Sequence, residues 1–487
     1  MKYILRTIII GILCVALAAT APHANAQNEG KQSRVISLEE FIRLATEHDT
    51  AFEKILIDEL SLQYLKDINL PARDIILAIK EEYDMILNQE REEEETSISL
   101  SKLFPYTGTE ISAAYETTPS YTASQNSSDA TLSITQPIAR NAFGRATRLH
   151  DKIIGLEIDV AKHQIVEAYE DYLATIVTAY YTWWEAYQNM LISESSYTEN
   201  LKLLDNMKER QKSKIALPID VNKTHLQVLA KKEKLIALRD AYDEACTVIT
   251  TAMRYDTEAL PHRGEVLLPV EPHQYERVNV LFDEDFKKLT DEGRTFQVLK
   301  LLEEKSSLDV AKNADDLLPS IDLVFAYNIK GGDYTFKDGE NMFYGAISIE
   351  YPFPDQVDRA EYETSKITEK KTKLSTDNVY HQLYRDLRNV SFAITREKNL
   401  LAIADEKIAL AQDVLDAEIE NYTYGKVTLN DYIAAVNNVD TQSFNKITRA
   451  TQLKKLTIEW LRLTDRLIAR NEIREPKAAT PSTAPVA

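Results

Sequence analysis

The sequence predicts a mainly α-helical protein with β hairpins, built as a tandem repeat of one unit. Two long runs, from about Arg145 to Gln211 and from about Tyr362 to Tyr422, carry the helical spacing of apolar residues. A pair of alternating, strand-like segments precedes each run. Superposing the halves with an offset of about 211 residues brings similar residues together, which is typical of an internal duplication.

The first long run places its apolar and aromatic side chains on one helix face. These are Tyr169, Tyr172, Leu173, Ile176, Tyr180, Trp184, Tyr187 and Leu191, and the second run repeats the pattern at Val379, Leu383, Leu387, Val390 and Ile394. Neither run contains proline, and roughly 65 residues at 1.5 Å each give a rod of about 100 Å. Such a rod needs other long helices to cover its apolar stripe, so Tyr180, Tyr181, Trp183 and Trp184 are expected to pack between helices.

Each strand pair shows apolar residues on one face and more polar residues on the other. The first pair forms a hairpin around the loop Pro119–Asp129, and the second forms a hairpin around the loop Gly331–Asn341. In the second pair the apolar face extends over roughly ten residues, the length that a tilted strand needs to cross a bilayer. Alternation alone also fits a hairpin that covers a soluble core.

The segmentation follows from these patterns and from the offset that superposes Asp220 on Asp431 and Tyr169 on Tyr380. We expect a signal peptide (1–26), a first repeat (27–260), a linker (261–282), a second repeat (283–470) and a disordered tail (471–487). The first repeat contains a β hairpin at about 109–138 and a helical hairpin at about 145–254. The second contains a β hairpin at about 320–352 and a helical hairpin at about 358–467.

The amino terminus has the features of a secretory signal. Lys2 and Arg6 precede an apolar core from Ile8 to Ala19, and Ala24-Asn25-Ala26 forms an A-x-A cleavage site. Cleavage there leaves Cys246 as the single cysteine, so stability must come from packing rather than from a disulfide within the chain. The net charge of −20 argues against binding to nucleic acid.

The segment before the first hairpin is predicted to begin with two helices, while Thr96–Phe104 either adds a strand or forms a loop. Ser37-Leu38-Glu39-Glu40 has the pattern of a capping box, and the helix that it starts should run to about Leu70. A second helix is expected from about Asp74 to Glu90, with Arg91–Glu95 as its solvated end. The segment that leads into the first hairpin, Pro71–Phe104, is some thirty residues longer than its counterpart in the second half.

Four strands per chain are too few to close a barrel. Open strand edges are unstable in hydrocarbon, because each unpaired backbone amide or carbonyl there costs several kcal/mol. Either the strands lie outside a membrane, or several copies pool them. Three copies would give a closed barrel of twelve strands with room for a pore, and their pooled rods would continue it as a hollow cylinder. The shape predicts a conduit.

Within such a barrel, the alternation assigns side chains to lipid or to the lumen. The residues expected to face lipid are Ile111, Tyr115, Leu132, Ile134, Ile321, Leu323, Phe325, Tyr327, Phe343, Ile347 and Ile349. The residues expected to face the lumen are Glu110, Glu116, Asp322, Lys330 and Glu350. These charges either tune what passes or simply hydrate a wide channel.

Four short motifs resemble the TolC-like family of outer membrane efflux proteins. They are Ser37-Leu38-Glu39-Glu40, Thr135-Gln136-Pro137-Ile138, Leu317-Leu318-Pro319-Ser320, and Tyr424-Gly425-Lys426-Val427 through Asp431-Tyr432. Their order and spacing cover nearly the whole mature chain. The resemblance implies a homotrimer with a barrel in the outer membrane of a Gram-negative bacterium and a helical tunnel in the periplasm. It also implies two partners, a periplasmic adaptor (membrane fusion) protein and an inner-membrane pump or ABC exporter.

The ends of the two helical hairpins are the candidate docking sites. We refer to them as the first tip (Lys214, Ile215, Ala216, Leu217 and Asp220) and the second tip (Gly425, Lys426, Val427, Thr428, Leu429 and Asp431). Their apolar residues either contact the helices of a partner or close the hairpin, and Asp220 and Asp431 are otherwise simple N-caps. Lys214 replaces the glycine that the family pattern places at the first tip.

The sequence offers no catalytic or cofactor-binding pattern. Its eight histidines are scattered and include no H-x-x-x-H pair, and Gly331-Gly332-Asp333 lacks the Lys-Ser/Thr of a phosphate loop. We therefore expect a protein that is not an enzyme and that needs no cofactor or metal. Two functions remain: an outer membrane channel for efflux or type I secretion, or a periplasmic helical scaffold without a membrane barrel.

Overall fold

The computed structural model describes residues 33–70, 74–86, 91–118, 127–253, 266–275, 278–332 and 335–468. The predicted signal peptide (1–26) and tail (471–487) lie outside these described residues.

The first half begins with short elements and continues into a hairpin and two long helices. In chain order the elements are β1 (Ser33–Ile36), α1 (Leu38–His48), α2 (Thr50–Ser61), α3 (Leu65–Asn69), β2 (Ile75–Ile86), β3 (Arg91–Phe104), β4 (Thr109–Thr118), β5 (Ser127–Pro137), α4 (Arg145–Lys212) and α5 (Pro218–Ala252). The Ser37 hydroxyl accepts a hydrogen bond from the Glu40 amide, as the capping box predicts, while the Glu40 carboxylate lies 2.9 Å from Arg34 Nη2.

The second half repeats the hairpin and the two long helices. Its elements are β6 (Val266–Pro269), α6 (Phe282–Glu292), α7 (Arg294–Asp316), β7 (Ser320–Gly332), β8 (Thr335–Glu350), α8 (Gln356–Thr423) and α9 (Leu429–Leu463). Strand β6 lies inside the region predicted to be a linker, and it pairs with β1 in parallel.

The duplication is visible in the lengths of the elements. Helices α4 and α8 each have 68 residues, and α5 and α9 each have 35. Their starts, at 145 and 356 and at 218 and 429, are both 211 residues apart. Helices α1 and α6, with 11 residues each, instead start 244 residues apart, at 38 and 282. The first half therefore holds 33 additional residues between these two points.

The prediction of four strands per chain was wrong. Strands β2 and β3 extend the sheet to six strands in the order β2-β3-β4-β5-β7-β8, with antiparallel pairing throughout. The helix predicted at 74–90 is therefore strand β2, and the run predicted as a solvated helix end, 91–95, is the start of β3.

The core lies halfway along the rods. There α4 packs against β1, α1 and the end of α9, and Tyr180, Tyr181 and Trp183 are buried in this cluster, as predicted. Trp184 is buried as well. The Tyr180 hydroxyl lies 2.8 Å from the Ile36 carbonyl oxygen and accepts a hydrogen bond from the Val270 amide. A second cluster joins α6, α7, α8 and α9. No helix within the described ranges combines the length and the hydropathy needed to cross a membrane.

Candidate functional site

The register of the sheet brings the predicted lipid-facing residues onto one face. Leu132 lies opposite Tyr327, and Tyr327 lies opposite Phe343. Ile111, Ile134 and Phe325 form the next cross-strand row. All eleven predicted residues share this face, which we call the apolar face of the sheet. Phe343 is 71% exposed, so the chain itself leaves this part of the face uncovered. That lipid covers it remains a prediction.

The opposite face of the sheet is polar, and we call it the polar face. It carries the five residues predicted to face the lumen, Glu110, Glu116, Asp322, Lys330 and Glu350. Lys330 Nζ lies 3.8 Å from Asp129 Oδ2, and Asp129 lies opposite Glu116. The buried Asn328 side chain donates to Thr131 Oγ1 over 2.8 Å and also contacts Asp129. This face is therefore suited to contact with water or polar solutes.

A charged junction under the sheet fixes the starts of the two longest helices. Arg140 lies 3.3 Å from Asp316 and 3.2 Å from Asp358. The Asn141 amide donates to the buried Asp315 carboxylate over 2.8 Å. This junction connects the end of β5 to α7 and α8, and so to the other half of the chain. Sequence reasoning missed it, although Asn141 is the kind of residue that tolerates its observed φ of 54°.

The two tips are closed by the same hydrogen bonds. One interpretation of the sequence took Asp220 and Asp431 as N-caps, and the structure shows that they are not. Each accepts the amide of the residue three positions before it, Leu217 over 3.3 Å and Thr428 over 3.0 Å. The Thr428 hydroxyl also donates to Asp431 over 2.6 Å. These hydrogen bonds from Thr428 lower the pKa of Asp431.

The tips differ in the apolar surface that they expose. Ile215 and Leu217 of the first tip are 68% and 63% exposed, in agreement with an available docking surface. In the second tip Leu429 is buried, which fits the alternative that it closes the hairpin, and Val427 is half-buried. Two residues outside the candidate docking sets are exposed as well, Ile219 beside the first tip and Tyr424 beside the second.

The long helices carry exposed apolar stripes with coiled-coil spacing. On α5, Ile219 and Leu226 are seven residues apart, as are Leu229 and Ile236, and all four are exposed. On α8, Ile403, Leu410 and Val414 are exposed in a similar spacing. Apolar stripes of this kind are normally buried against other helices, so each stripe predicts a partner helix outside this chain.

Within the described ranges, no group of three or more His, Cys, Asp or Glu is placed to hold a metal ion. Burial raises the pKa of the Cys246 thiol to about 11, which keeps it protonated and unreactive.

Comparison with known proteins identifies the fold. No protein-family model matches the sequence, and no curated protein matches it. Solved structures of outer membrane proteins do match. VceC from Vibrio cholerae is 11% identical over 88% of this chain and 95% of its own, with a TM-score of 0.66. The CmeC channel of Campylobacter jejuni is 12% identical over 93% and 95%, with a TM-score of 0.65. The open MtrE channel of Neisseria gonorrhoeae is 14% identical over 88% and 89%, with a TM-score of 0.60. The chain has the TolC-like fold.

Proposed function

We propose that this chain is a subunit of a passive exit duct in the outer membrane of a Gram-negative bacterium. Three copies form a β-barrel in the membrane and a helical tunnel in the periplasm. The duct serves efflux of small molecules or type I secretion, and inner-membrane partners supply the energy.

The main support for the proposal is the six-stranded sheet, with its exposed apolar face and its two edge strands. Its apolar face runs from strand to strand in register, while β2 and β8 each have a neighbour on only one side among the described strands. Unpaired strand edges are costly in hydrocarbon, so a sheet placed in a membrane must be closed by copies of itself. The polar face then lines the pore.

The helices continue the pore away from the membrane. Helices of 68 residues are about 100 Å long, far longer than a bilayer is thick. The exposed apolar stripes of α5 and α8 supply contacts between neighbouring copies, because each has the heptad-like spacing of a helix seam. Three copies thus close the helices into a cylinder as they close the strands into a barrel.

The tips are the proposed contact with the rest of the export machine. Ile215 and Leu217 are exposed at the far end of the rods, where helices of a periplasmic adaptor protein can bury them. An inner-membrane pump or ABC exporter then energises transport, since the sequence contains no nucleotide-binding pattern.

The membrane location and assembly are tested by fractionation. The chain with its native signal peptide is expressed in a Gram-negative host, and its membranes are separated. We expect an outer-membrane protein that is extracted only by detergent, migrates as a heat-sensitive trimer and conducts ions in a planar bilayer. A soluble monomer released by osmotic shock would contradict the duct and would favour the periplasmic scaffold.

The tip contact is tested separately in the native host. The double variant Ile215→Glu/Leu217→Glu should keep the trimer in the outer membrane but lose resistance to exported toxic compounds. Lys232→Glu is the matched control, because it changes the net charge by the same two units at an exposed position of α5 outside the tip. Wild-type resistance in the double variant would contradict docking through this tip.

A further inference from the structure

The hairpin formed by β2 and β3 is an addition to the repeated unit. The 33 residues by which the first half exceeds the second fall between α1 and α4, and β2 and β3 together span 75–104. Between α7 and β7, at the matching point of the second half, only residues 317–319 intervene. The hairpin therefore has no counterpart in the second half.

Two rows of the added hairpin continue the apolar face of the sheet, and Lys102 and Glu81 lie on the same face on either side of them. Strand β3 pairs with β4 from Thr96 to Phe104, and β2 pairs with β3 along its whole length. Leu77 lies opposite Leu100, which lies opposite Ala113 in β4. The next row joins Ile79, Ile98 and Tyr115 in the same way.

The same hairpin also continues the polar face. Ser101 lies opposite Ser112, whose hydroxyl is 2.7 Å from that of Ser133 in β5. Ser97 lies opposite Glu116. A one-residue slip in register would exchange the two faces of the hairpin, so the match across five strand pairs selects one register.

The described part of the chain leaves the apolar side of the hairpin exposed. Ile75, Leu77 and Ile79 are between 61% and 68% exposed. A hairpin that packed on a soluble core would bury such residues. With 12 and 14 residues, β2 and β3 also exceed the ~9–11 residues that a transmembrane strand needs.

We propose that the β2–β3 hairpin is part of the barrel wall, and that β2 of one copy pairs with β8 of the next copy. Each copy then contributes six strands, and three copies form a barrel of eighteen strands. The reason is that β3 occupies the edge of β4 that a four-stranded subunit would offer to its neighbour. Because barrel diameter grows roughly linearly with strand number, the pore is about half as wide again as a twelve-stranded one. The inference rests on the proposed membrane duct.

Cysteine cross-linking in membranes tests which strand β8 reaches. In a Cys246→Ser background, one cysteine replaces Phe343, Gly345 or Ile347 in β8. The second replaces Ile75, Leu77 or Ile79 in β2, or Ile111, Ala113 or Tyr115 in β4. The three β8 positions combined with three positions in β2 or in β4 give nine pairs in each set. All pairs are oxidised, so that the register between neighbouring copies need not be known in advance. A further pair, Leu100→Cys with Ala113→Cys, reports the β3–β4 pairing within one copy.

We expect disulfide-linked dimers and trimers from the β8–β2 set, none from the β8–β4 set, and an intrachain disulfide from the Leu100/Ala113 pair. Absence of β8–β2 cross-links in a trimer that resides in the membrane overturns the inference, whether or not β8 reaches β4. That result leaves the proposed duct intact. If the Cys246→Ser protein without introduced cysteines is instead a soluble monomer, the proposed membrane duct is wrong.

Discussion

Lys214 and Gly425 adopt the same left-handed backbone conformation at equivalent points of the two helical hairpins, with φ of 59° and 69°. The turns around them are closed alike. The Ile215 amide donates to the Arg210 carbonyl over 2.8 Å, and the Lys426 amide donates to the Asn421 carbonyl over 2.9 Å. A residue with a Cβ pays roughly 1–2 kcal/mol for this conformation, and glycine does not. The first tip therefore carries backbone strain that the second tip avoids.

Substitutions at these two positions should have opposite effects. Lys214→Gly should stabilise the first tip by about 1 kcal/mol, because the relief of strain exceeds the entropy that glycine adds to the unfolded chain. Gly425→Ala should destabilise the second tip by a similar amount, although no heavy atom lies within 4 Å of an added Cβ. Amide hydrogen exchange of residues 213–220 and 424–431 measures both effects.

A glycine inside a helix provides the matched control for this pair. Gly155 in α4 also has nothing within 4 Å of an added Cβ, but it lacks the positive φ. Gly155→Ala should therefore stabilise its helix by roughly 0.5–1 kcal/mol. If Gly425→Ala slowed exchange as Gly155→Ala does, backbone strain would not govern the tip.

Local periodicity was sufficient to predict the long helices, the two repeated hairpins and the duplication. It failed at β2 because the pattern there fits two periods. Ile75, Ile79, Tyr83 and Ile86 have helical spacing, while Ile75, Leu77 and Ile79 alternate as in a strand. Pairing with β3, and of β3 with β4, decides between them. That information is tertiary, and a single window of sequence does not contain it.

The candidate tips show a similar limit. Leu217 and Leu429 are both apolar residues next to a turn, and the sequence treated them alike. Leu217 is the N-cap of α5, in the turn itself, whereas Leu429 is the first residue of α9 and matches Pro218 in the other half. The exposure of the two side chains follows this one-residue difference in position, which becomes visible only when the two turns are aligned.

The second tip should lose local stability in acid. The hydrogen bonds from Thr428 hold the pKa of Asp431 below its usual value. A carboxylate with a lowered folded pKa stabilises the fold above its unfolded pKa, about 3.9, and that contribution is lost as the pH falls through the folded pKa. Hydrogen exchange at 428–431, corrected for intrinsic rates, should therefore rise below about pH 4. Asp431→Asn should show no such dependence, and constant wild-type protection down to about pH 2 would refute this account.

A buried ionic cluster connects the halves near the core. The Arg294 guanidinium contacts the buried Glu170 carboxylate and lies 3.3 Å from Asp465 Oδ1. The Arg294 amide donates to Asp465 Oδ2 over 2.6 Å, and the Ile468 amide donates to Glu170 over 3.1 Å. Burial raises the pKa of both Glu170 and Asp465, while the charge of Arg294 opposes the rise.

Removal of Arg294 should be strongly destabilising. Arg294→Met leaves the buried Glu170 carboxylate and the half-buried Asp465 carboxylate without their counter-charge, so the free energy of unfolding should fall by about 3–5 kcal/mol. Adding Glu170→Gln should recover part of this loss. Carboxyl groups whose pKa is raised in the folded state take up protons as the pH falls, and burial of the neutral form costs less free energy. The stability lost in Arg294→Met should therefore become smaller as the pH falls from about 7.5 to 5. Thermal denaturation of the detergent-solubilised protein at both pH values measures this.

The control for the ionic cluster is an exposed ion pair on the same rods. Arg239 Nη2 lies 2.9 Å from Glu194 Oε1, and both side chains are about half exposed. Arg239→Met should cost less than about 1 kcal/mol and show little dependence on pH. Equal losses for Arg239→Met and Arg294→Met would mean that burial of the cluster contributes nothing.

Neighbouring residues on opposite faces of β5 should respond differently to a positive charge. Ile134 lies between Ile111 and Phe325 on the apolar face, whereas Thr135 lies opposite Glu110 on the polar face. In a membrane barrel, Ile134→Arg places its charge on the lipid side, at a cost that reaches about 2–4 kcal/mol at the midplane and falls toward either interface. Thr135→Arg places the same charge beside a carboxylate. The amount of heat-sensitive oligomer in the outer membrane fraction should fall sharply for Ile134→Arg and stay near wild type for Thr135→Arg. The reverse order would show that the apolar face does not contact lipid.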